Sequence, residues 1–410
     1  MGGTVKREGK SWYYVVDVGR DADGRRLQRK KRGFRTKRDA ERALRDLLQD
    51  LDDGTFVTPS NLTVGEYLTQ HWLPAVRLRV RPTTHHQYEW AVKNHIVPRV
   101  GDLRLQELRE HHVERLHADL RLAGRLDGHG GLSPKAIRLV HGTLRKALND
   151  AVGRYVERNY AALVSAPRDE RPEMIVWTEE QLSAFLAHTA GDRLSALWLL
   201  LATTGLRRGE ALGMKWSDLE WPQNGAREPD PGWLTIKRAI TLLSNQPHLT
   251  MPKTRQGARR IALDAHTIAA LRRHRERQAK EREVAAELWQ EHGLVFCRED
   301  GVVLHPWSVS SRFRTLARQS GLPPLTLHGL RHTYATLALA AGVPPQVLSR
   351  RLGHARVEIT LGIYGHLLPG GDQSAAGTVA DRILGVSPDL DERLDPEDGE
   401  GPPDEDPENV

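Results

Sequence analysis

The alternation of hydrophobic and polar positions divides the first 55 residues into two strands and one helix. Residues 11–18, SWYYVVDV, are aromatic and β-branched, as is typical of a strand. A DADG turn separates them from a second predicted strand over 26–34. A helix is predicted from Thr36, where Asp39 stands three residues on in a capping pattern. Its apolar stripe has helical spacing and ends before Gly54.

Residues 62–165 carry only helical periodicity. Thr63 and Glu66 form a capping box ahead of the first apolar positions. Ser133 and Pro134 supply an N-cap and a proline at the first position of the last long helix. The stretch SAPRDERP that follows has the composition of a linker between domains.

The next segment predicts a mainly helical unit with a small sheet. Strand-like stretches occupy 233–240 and 259–263, with a proline-interrupted stretch between them. Helical patterns follow, at about 264–288, 306–319, 328–341, 345–352 and 373–384. In the last of these, the apolar positions predict a helix that either docks onto a neighbouring protomer or packs within its own domain.

These patterns together predict a multidomain α+β chain. Residues 1–57 form a small sheet with a helix, 62–165 an all-α domain, and 173–385 a mainly α domain with a small antiparallel sheet. Residues 386–410 have almost no apolar content, which predicts a disordered acidic tail.

Charge is distributed unevenly along the chain. The chain has 60 Lys and Arg against 53 Asp and Glu, a net charge of +7. The tail holds eleven acids and one base, so the first 385 residues carry +17. A body this basic favours a polyanionic partner, most often nucleic acid.

Six of these bases crowd into eight residues of the second predicted strand. Like charges this close together are costly without a counter-anion, so we expect DNA contact there; a solvated strand face is the other interpretation. The six are Arg25, Arg26, Arg29, Lys30, Lys31 and Arg32.

Cysteine count and apolar runs exclude several other classes of protein. The single cysteine, Cys297, excludes a disulfide framework and a CxxC zinc site. The first ten residues lack the apolar stretch of a signal peptide, and the longest apolar run, 197–202, is too short to cross a bilayer. We therefore expect an intracellular protein with no membrane partner.

Candidate catalytic residues occur in five short motifs after residue 200. Arg207 and Glu210 lie one helical turn apart, and His328 and Arg331 do so again at the start of a helix. A probable strand-connecting turn carries Lys253. The motifs are TGLRRGEAL at 204–212, PKT at 252–254, LHGLRHT at 327–333, LGH at 352–354 and TLGIYGHL at 360–367.

In this order and spacing, the motifs resemble those of the tyrosine recombinases, the phage-type integrases. The family's series of Arg, Lys, His-x-x-Arg, His and Tyr falls here on Arg207, Lys253, His328, Arg331, His354 and Tyr364. Residues 62–165 look like the family's core-binding domain. The stretch GFRTKRDA at 33–40 is similar to the arm-binding module, which has a three-stranded sheet and one helix.

The resemblance implies a metal-free covalent mechanism with no cofactor. Tyr364 would attack the scissile phosphate and form a 3′-phosphotyrosine. Arg207 and Arg331 would clamp the non-bridging oxygens, and Lys253 would protonate the departing 5′-oxygen.

The other polar residues of the motifs take supporting roles in this scheme. His328 would handle the tyrosine proton, His354 would hydrogen-bond the phosphate, and Glu210 would orient Arg207 or a neighbouring loop. Arg259 and Arg260 are open between strand-face charges and phosphate contacts. No metal-ligand set is visible in the sequence.

The resemblance also implies partners: double-stranded DNA at core and arm sites, and a homotetramer that exchanges strands through a Holliday junction. A DNA-bending host factor and an excision factor would complete a bacterial, cytoplasmic assembly that is on the nucleoid when bound to DNA. The alternatives are a chromosome-dimer-resolving recombinase, a type IB topoisomerase-like nicking-closing enzyme and an inactive DNA-binding regulator. The N-terminal module argues against the first two, and the intact series argues against the third.

Overall fold

The computed structural model describes residues 2–20, 26–52, 56–168, 174–222, 232–251, 257–354 and 356–364. The chain divides into two units, Met1–Pro172 with Leu243–Asn245, and Glu173–Leu242 with Gln246–Val410. The helix predicted over 373–384 and the acidic tail lie outside the described residues.

The first unit begins with a three-stranded antiparallel sheet covered by one helix. The strands are β1 (Gly3–Glu8), β2 (Ser11–Arg20) and β3 (Arg26–Phe34), in that spatial order, and the helix is α1 (Lys37–Asp52). Tyr14 and Val16 of β2 pack against Leu44 and Leu47 of α1. The Thr36 hydroxyl accepts a hydrogen bond from the Asp39 backbone amide at 3.1 Å, as the capping pattern predicted.

The rest of the first unit is helical, and its caps are those that the sequence predicted. The Thr63 hydroxyl accepts from the Glu66 amide at 3.1 Å, and the Glu66 carboxylate accepts from the Thr63 amide at 2.9 Å. The elements are α2 (Val64–Glu66), a π-helix (Tyr67–Trp72), α3 (Leu73–Arg77), α4 (Pro82–Ala91), a π-helix (Val92–Ile96), α5 (Val97–Val100), a 3₁₀ turn (Leu105–Glu107), α6 (Glu110–Ala123), α7 (Pro134–Ala151) and a 3₁₀ turn (Tyr160–Ala162).

The second unit is a helical body with two small sheets. A buried aromatic cluster of Trp177, Phe185, Trp198 and Phe313 lies in its core. Its elements are α8 (Glu179–His188), α9 (Ser195–Thr204), α10 (Arg208–Leu212), a 3₁₀ turn (Trp216–Asp218), β4 (Leu219–Glu220), β5 (Gly232–Ile236), β6 (Ala239–Leu243), β7 (Gln246–Thr250), β8 (Arg259–Leu263), α11 (Ala265–Ala285), a 3₁₀ turn (Ala286–Leu288), α12 (Pro306–Gln319), α13 (Leu327–Ala340), α14 (Pro345–Leu352) and α15 (Val357–Tyr364).

The strand predicted over 233–240 is divided in the structure. β5 ends at Ile236 and joins the sheet β4-β5-β8, whereas β6 pairs with β7 in a separate sheet. The two residues between them, Lys237 and Arg238, both form ion pairs with the buried Asp218 carboxylate. The break between β5 and β6 therefore coincides with two ion pairs to a buried carboxylate, a feature that the alternation of apolar residues alone does not reveal.

The mixed, multidomain α+β architecture is therefore confirmed. Among the residues that the structure describes, no helix combines the length and apolar character needed to cross a bilayer.

Candidate active site

Three arginines converge on the carboxyl end of helix α14. Arg259 Nε donates to the Arg351 carbonyl at 2.7 Å, and Arg331 Nη2 donates to the Leu352 carbonyl at 2.8 Å. Arg207 Nη2 donates to the next carbonyl, that of Gly353, at 3.1 Å. Three arginines that are far apart in the sequence thus lie close together, because they bind three consecutive backbone carbonyl groups.

The end of a helix is a natural place for such a cluster. The last carbonyls have no partner within the helix and carry the negative end of its dipole, so guanidinium groups are favoured there. Gly353 ends α14 with φ of +67°, a left-handed conformation that glycine adopts readily. A Cβ at Gly353 would lie 2.7 Å from Arg259 Nη1, so the turn and the guanidinium are in direct contact.

Arg331 is the buried member of the predicted pair of phosphate-binding arginines. It is 3% exposed, and its Nη1 also donates to the Gly205 carbonyl at 2.7 Å. Arg207, just before α10, has a side chain that is 43% exposed. Of this pair, Arg331 is therefore buried and held by backbone carbonyls, and Arg207 is accessible to solvent.

Glu210, which the sequence analysis assigned to orienting Arg207 or a neighbouring loop, binds two arginines at once. Its carboxylate accepts from Arg207 Nη1 at 2.9 Å and from the Arg207 backbone amide at 3.0 Å. It also accepts from both Nη atoms of Arg259, at 3.1 and 2.9 Å. Burial alone would raise the pKa of the Glu210 carboxyl, but the hydrogen bonds and charge of Arg259, and then of Arg207, hold it below its ordinary value.

Arg259 is the site residue that sequence reasoning left undecided. Its side chain is 7% exposed and makes a buried ion pair, whereas its neighbour Arg260 pairs with Glu220 on the exposed side of the strand. A signal for this difference was present in the sequence. In RRIAL, Arg259 shares the strand face of Ile261 and Leu263, which are buried.

The two predicted histidines lie in different environments. His354 follows Gly353, and its Nδ1 lies 2.8 Å from the Thr360 hydroxyl. Burial, followed by the charges of Arg331 and Arg207, lowers the pKa of His354 to about 4, so the ring is neutral at pH 7. His328 is exposed at the start of α13, with its ring 4.6 Å from that of His332.

Tyr364 is described by its backbone alone, and Lys253 is not among the described residues. Tyr364 is the last residue of helix α15, one turn after Thr360, and its side chain lies outside what the structure describes. Lys253 lies in the segment 252–256, which is outside the described residues altogether, six residues before Arg259 at the start of β8.

The basic strand near the N-terminus has two different faces. Tyr14 pairs with Lys31 and Val16 with Arg29, so Lys31 and Arg29 share the face that α1 covers. Lys30 and Arg32 lie on the opposite, open face, and both approach the Glu8 carboxylate, at 3.8 and 3.1 Å. Of the other two predicted DNA contacts, Arg25 is outside the described residues and only the backbone of Arg26 is described.

No group of three or more His, Cys, Asp or Glu side chains suited to a metal ion occurs among the described residues. The cluster at α14 instead offers guanidinium and imidazole donors, which can bind a phosphate and stabilise charge that develops on it.

Three family descriptions match successive parts of the chain. Residues 4–51 match an arm DNA-binding domain, and residues 63–121 match the N-terminal SAM-like domain of phage integrases. Residues 176–370, which include the arginine cluster, match the phage integrase family.

Relatives and solved structures agree with these matches. A XerC-like tyrosine recombinase of Caldanaerobacter subterraneus is 27% identical over 92% of this chain and 98% of its own length. The Tn1549 transposon integrase bound to transposon right-end DNA has a TM-score of 0.61 at 19% identity, over 78% of this chain and 99% of that one. A lambda integrase tetramer bound to a Holliday junction has a TM-score of 0.53 at 19% identity, over 86% and 92%. The chain belongs to the phage integrase family of tyrosine recombinases, enzymes that cut and rejoin DNA strands at specific sites.

Proposed function

We propose that this chain is the integrase of a phage or an integrative mobile element. Tyr364 Oη attacks the scissile phosphorus, the bond to the 5′-oxygen breaks, and a 3′-phosphotyrosine forms while a 5′-hydroxyl leaves. The 5′-hydroxyl of a partner strand then attacks the phosphotyrosine and releases the tyrosine. Because one phosphate ester replaces another in each step, the exchange needs no external energy source, and two rounds pass through a Holliday junction.

The observation that carries this proposal is the convergence of Arg207, Arg331 and His354 around the end of α14. In the transition state, negative charge grows on the non-bridging oxygens of the phosphate, and planar guanidinium groups match those oxygens in pairs. Removing one such donor typically slows a reaction by about 10²–10³-fold. Arg207 and Arg331 together can therefore supply a large part of the catalysis.

The remaining roles follow from position and chemistry. Thr360 hydrogen-bonds His354, and Tyr364 follows it by one turn of the same helix, which brings a tyrosine backbone close to the phosphate-binding cluster. We assign His328 to the tyrosine proton and Lys253 to protonation of the leaving 5′-oxygen. Neutral His354 can donate one ring N–H to the phosphate.

We assign residues 1–57 to arm-site DNA, 62–165 to core-site DNA and 173–385 to catalysis, in a tetramer of identical chains on the bacterial chromosome. A chain that holds two separate DNA segments requires bent DNA between them, and smooth bending is costly because the persistence length of DNA is about 150 base pairs. A host protein that bends this DNA would lower the cost, and we include an excision factor as a second accessory partner.

The central test is covalent capture with Tyr364→Phe. The DNA beside the gene would be searched for a direct repeat and footprinted, and the core site would be made as a nicked suicide substrate. The wild-type chain should form an adduct that survives a denaturing gel. The variant should form none yet bind the site normally, because it lacks only one oxygen.

Tyr334→Phe is the matched control, since Tyr334 packs beside the buried cluster of Ala335, Leu348 and Leu352 in the same unit. It should still form the adduct. An adduct that persists in Tyr364→Phe and disappears in Tyr334→Phe would show that the nucleophile is Tyr334.

A further inference from the structure

We propose that Arg259 is a positioning residue: by neutralising Glu210 and bracing the end of α14, it keeps the guanidinium of Arg207 available to the scissile phosphate. This inference rests on the proposed function, in which Arg207 binds that phosphate. Arg259 differs from Arg207 in how its donors are used: both of its Nη atoms bind the Glu210 carboxylate and its Nε binds the Arg351 carbonyl, so we assign it to these neighbours and not to the phosphate.

Glu210 is the link between the two arginines. Its Oε1 accepts from Nη1 of both Arg207 and Arg259, at 2.9 and 3.1 Å. Its Oε2 accepts from the Arg207 amide and from Arg259 Nη2, at 3.0 and 2.9 Å. The two nitrogens of Arg259 thus form a fork on the carboxylate, while Arg207 uses one nitrogen of its guanidinium on it.

Formal charge explains why a second arginine is useful at this place. Arg207, Arg259 and Arg331 all bind carbonyls at the end of α14, and Glu210 pairs with the first two of them, so the four side chains carry a net charge of +2. Without Arg259, the buried carboxylate would have only Arg207 as a close ion-pair partner in this cluster. It would then draw Arg207 into a tighter pair and cancel its charge, because a charge in a poorly hydrated place demands compensation.

Arg259 also braces the turn that orients the other two arginines. Its Nε holds the Arg351 carbonyl at 2.7 Å, and its Nη1 holds the Gly257 carbonyl at 3.3 Å. The next two carbonyls, of Leu352 and Gly353, are the ones that Arg331 and Arg207 bind. A change at Arg259 therefore acts on the reacting phosphate only through its neighbours.

The test measures single-turnover cleavage of the suicide substrate and, separately, affinity for the same site. In R259Q, the formal charge of the cluster falls to +1, and we expect cleavage to slow by about ten- to hundredfold, less than for loss of a direct donor. Affinity for DNA should change little. R260Q is the matched control: its arginine is adjacent on β8 but pairs with Glu220 at the surface, and it should cleave like the wild type.

The double variant E210Q/R259Q separates charge balance from simple structural support. Removing both buried charges restores the net charge of +2, so the double variant should cleave faster than R259Q. A residue that only supported the fold would give a double variant as slow as R259Q or slower. That result, or an R259Q variant that cleaves at the wild-type rate, would overturn the inference.

A second comparison decides the matter if R259Q does not fold. The E210Q variant has a neutral amide in place of the carboxylate and leaves no buried negative charge to compensate, so E210Q/R259Q should cleave within about threefold of E210Q. A double variant at least tenfold slower than E210Q would overturn the inference. Failure of the wild-type chain to form any adduct would instead contradict the proposed function.

Discussion

At the scale of single residues, Gly205 helps to hold the buried side chain of Arg331 in place. It ends α9 with φ of +62°, and its carbonyl accepts from Arg331 Nη1 at 2.7 Å. A Cβ at this position would overlap the Tyr334 ring and lie 2.8 Å from Leu352 Cδ2. Both the backbone conformation and the close packing therefore require glycine here.

We predict that Gly205→Ala destabilises the chain and impairs cleavage, while Gly321→Ala causes only a mild loss of stability. Gly321 has a similar φ of +70° but open space where an added Cβ would lie, so Gly321→Ala measures the cost of the left-handed backbone alone, about 1–2 kcal/mol. Gly205→Ala adds steric overlap and should lower the unfolding free energy further. Denaturant unfolding and single-turnover cleavage measure both effects; equal losses in the two variants would contradict the argument from packing.

The site could be predicted from the sequence only as far as local patterns reach. The i,i+3 pair of Arg207 and Glu210 is visible in the sequence, and the structure contains it. The contact between Glu210 and Arg259 spans 49 residues and depends on which face of β8 turns inward. The order of the motifs suggested which residues act together, but only the folded turn at Gly353 shows that backbone carbonyls organise them.

At the scale of elements, the N-terminal sheet presents one covered face and one open face. Lys30 and Arg32 are on the open face, where Lys30 Nζ also lies 3.9 Å from the centre of the Tyr13 ring. A short ribbon of strands fits into the major groove of B-DNA, so these bases can reach phosphates at its edges. We expect the open face, rather than the whole basic run, to bind arm-site DNA.

The double variant Lys30→Ala/Arg32→Ala should therefore bind a footprinted arm-site duplex more weakly than the wild type. Its affinity should also depend less on salt concentration. Each lost phosphate contact should reduce the slope of log affinity against log salt by about 1. Lys37→Ala is the control, because Lys37 lies on α1 and pairs with Glu41 at 3.4 Å. Fluorescence anisotropy over a salt series gives both slopes, and the same slope in all three proteins would exclude the open face as the contact.

Helices could be predicted from the sequence wherever a local signal, such as a cap or a helical periodicity, marked them. The caps at Thr63 and Ser133 and the helices 306–319 and 345–352 agree with the sequence prediction. Strand β1, GTVKRE, was not predicted from its own pattern, because a short edge strand with mostly polar residues carries almost no hydrophobic alternation. Its pairing with β2, not its composition, makes it a strand.

At the scale of the whole molecule, each of the two units buries a histidine that the folded state keeps neutral. His141, in the first unit, is 4% exposed, and burial, followed by the charge of His117, lowers its pKa to about 4. His274, in the second, is 1% exposed, and burial lowers its pKa to about 4 although a hydrogen bond from its Nε2 to the Val295 carbonyl opposes the shift. Because both side chains are almost completely buried, a charged ring would lose the hydration that stabilises it in water.

We predict that both units lose stability as the pH falls from 7 to 5. An unfolded histidine has a pKa of about 6.5, so in this window the unfolded chain binds more protons than the folded one, and the unfolding free energy decreases with falling pH. Each such histidine contributes at most about 1.4 kcal/mol per pH unit. Calorimetric midpoints should therefore fall less steeply with pH in His141→Gln and in His274→Gln than in the wild type. His129→Gln, in an exposed turn, should keep the wild-type slope. If neither buried variant flattens the slope, the acid sensitivity of the fold must come from other groups.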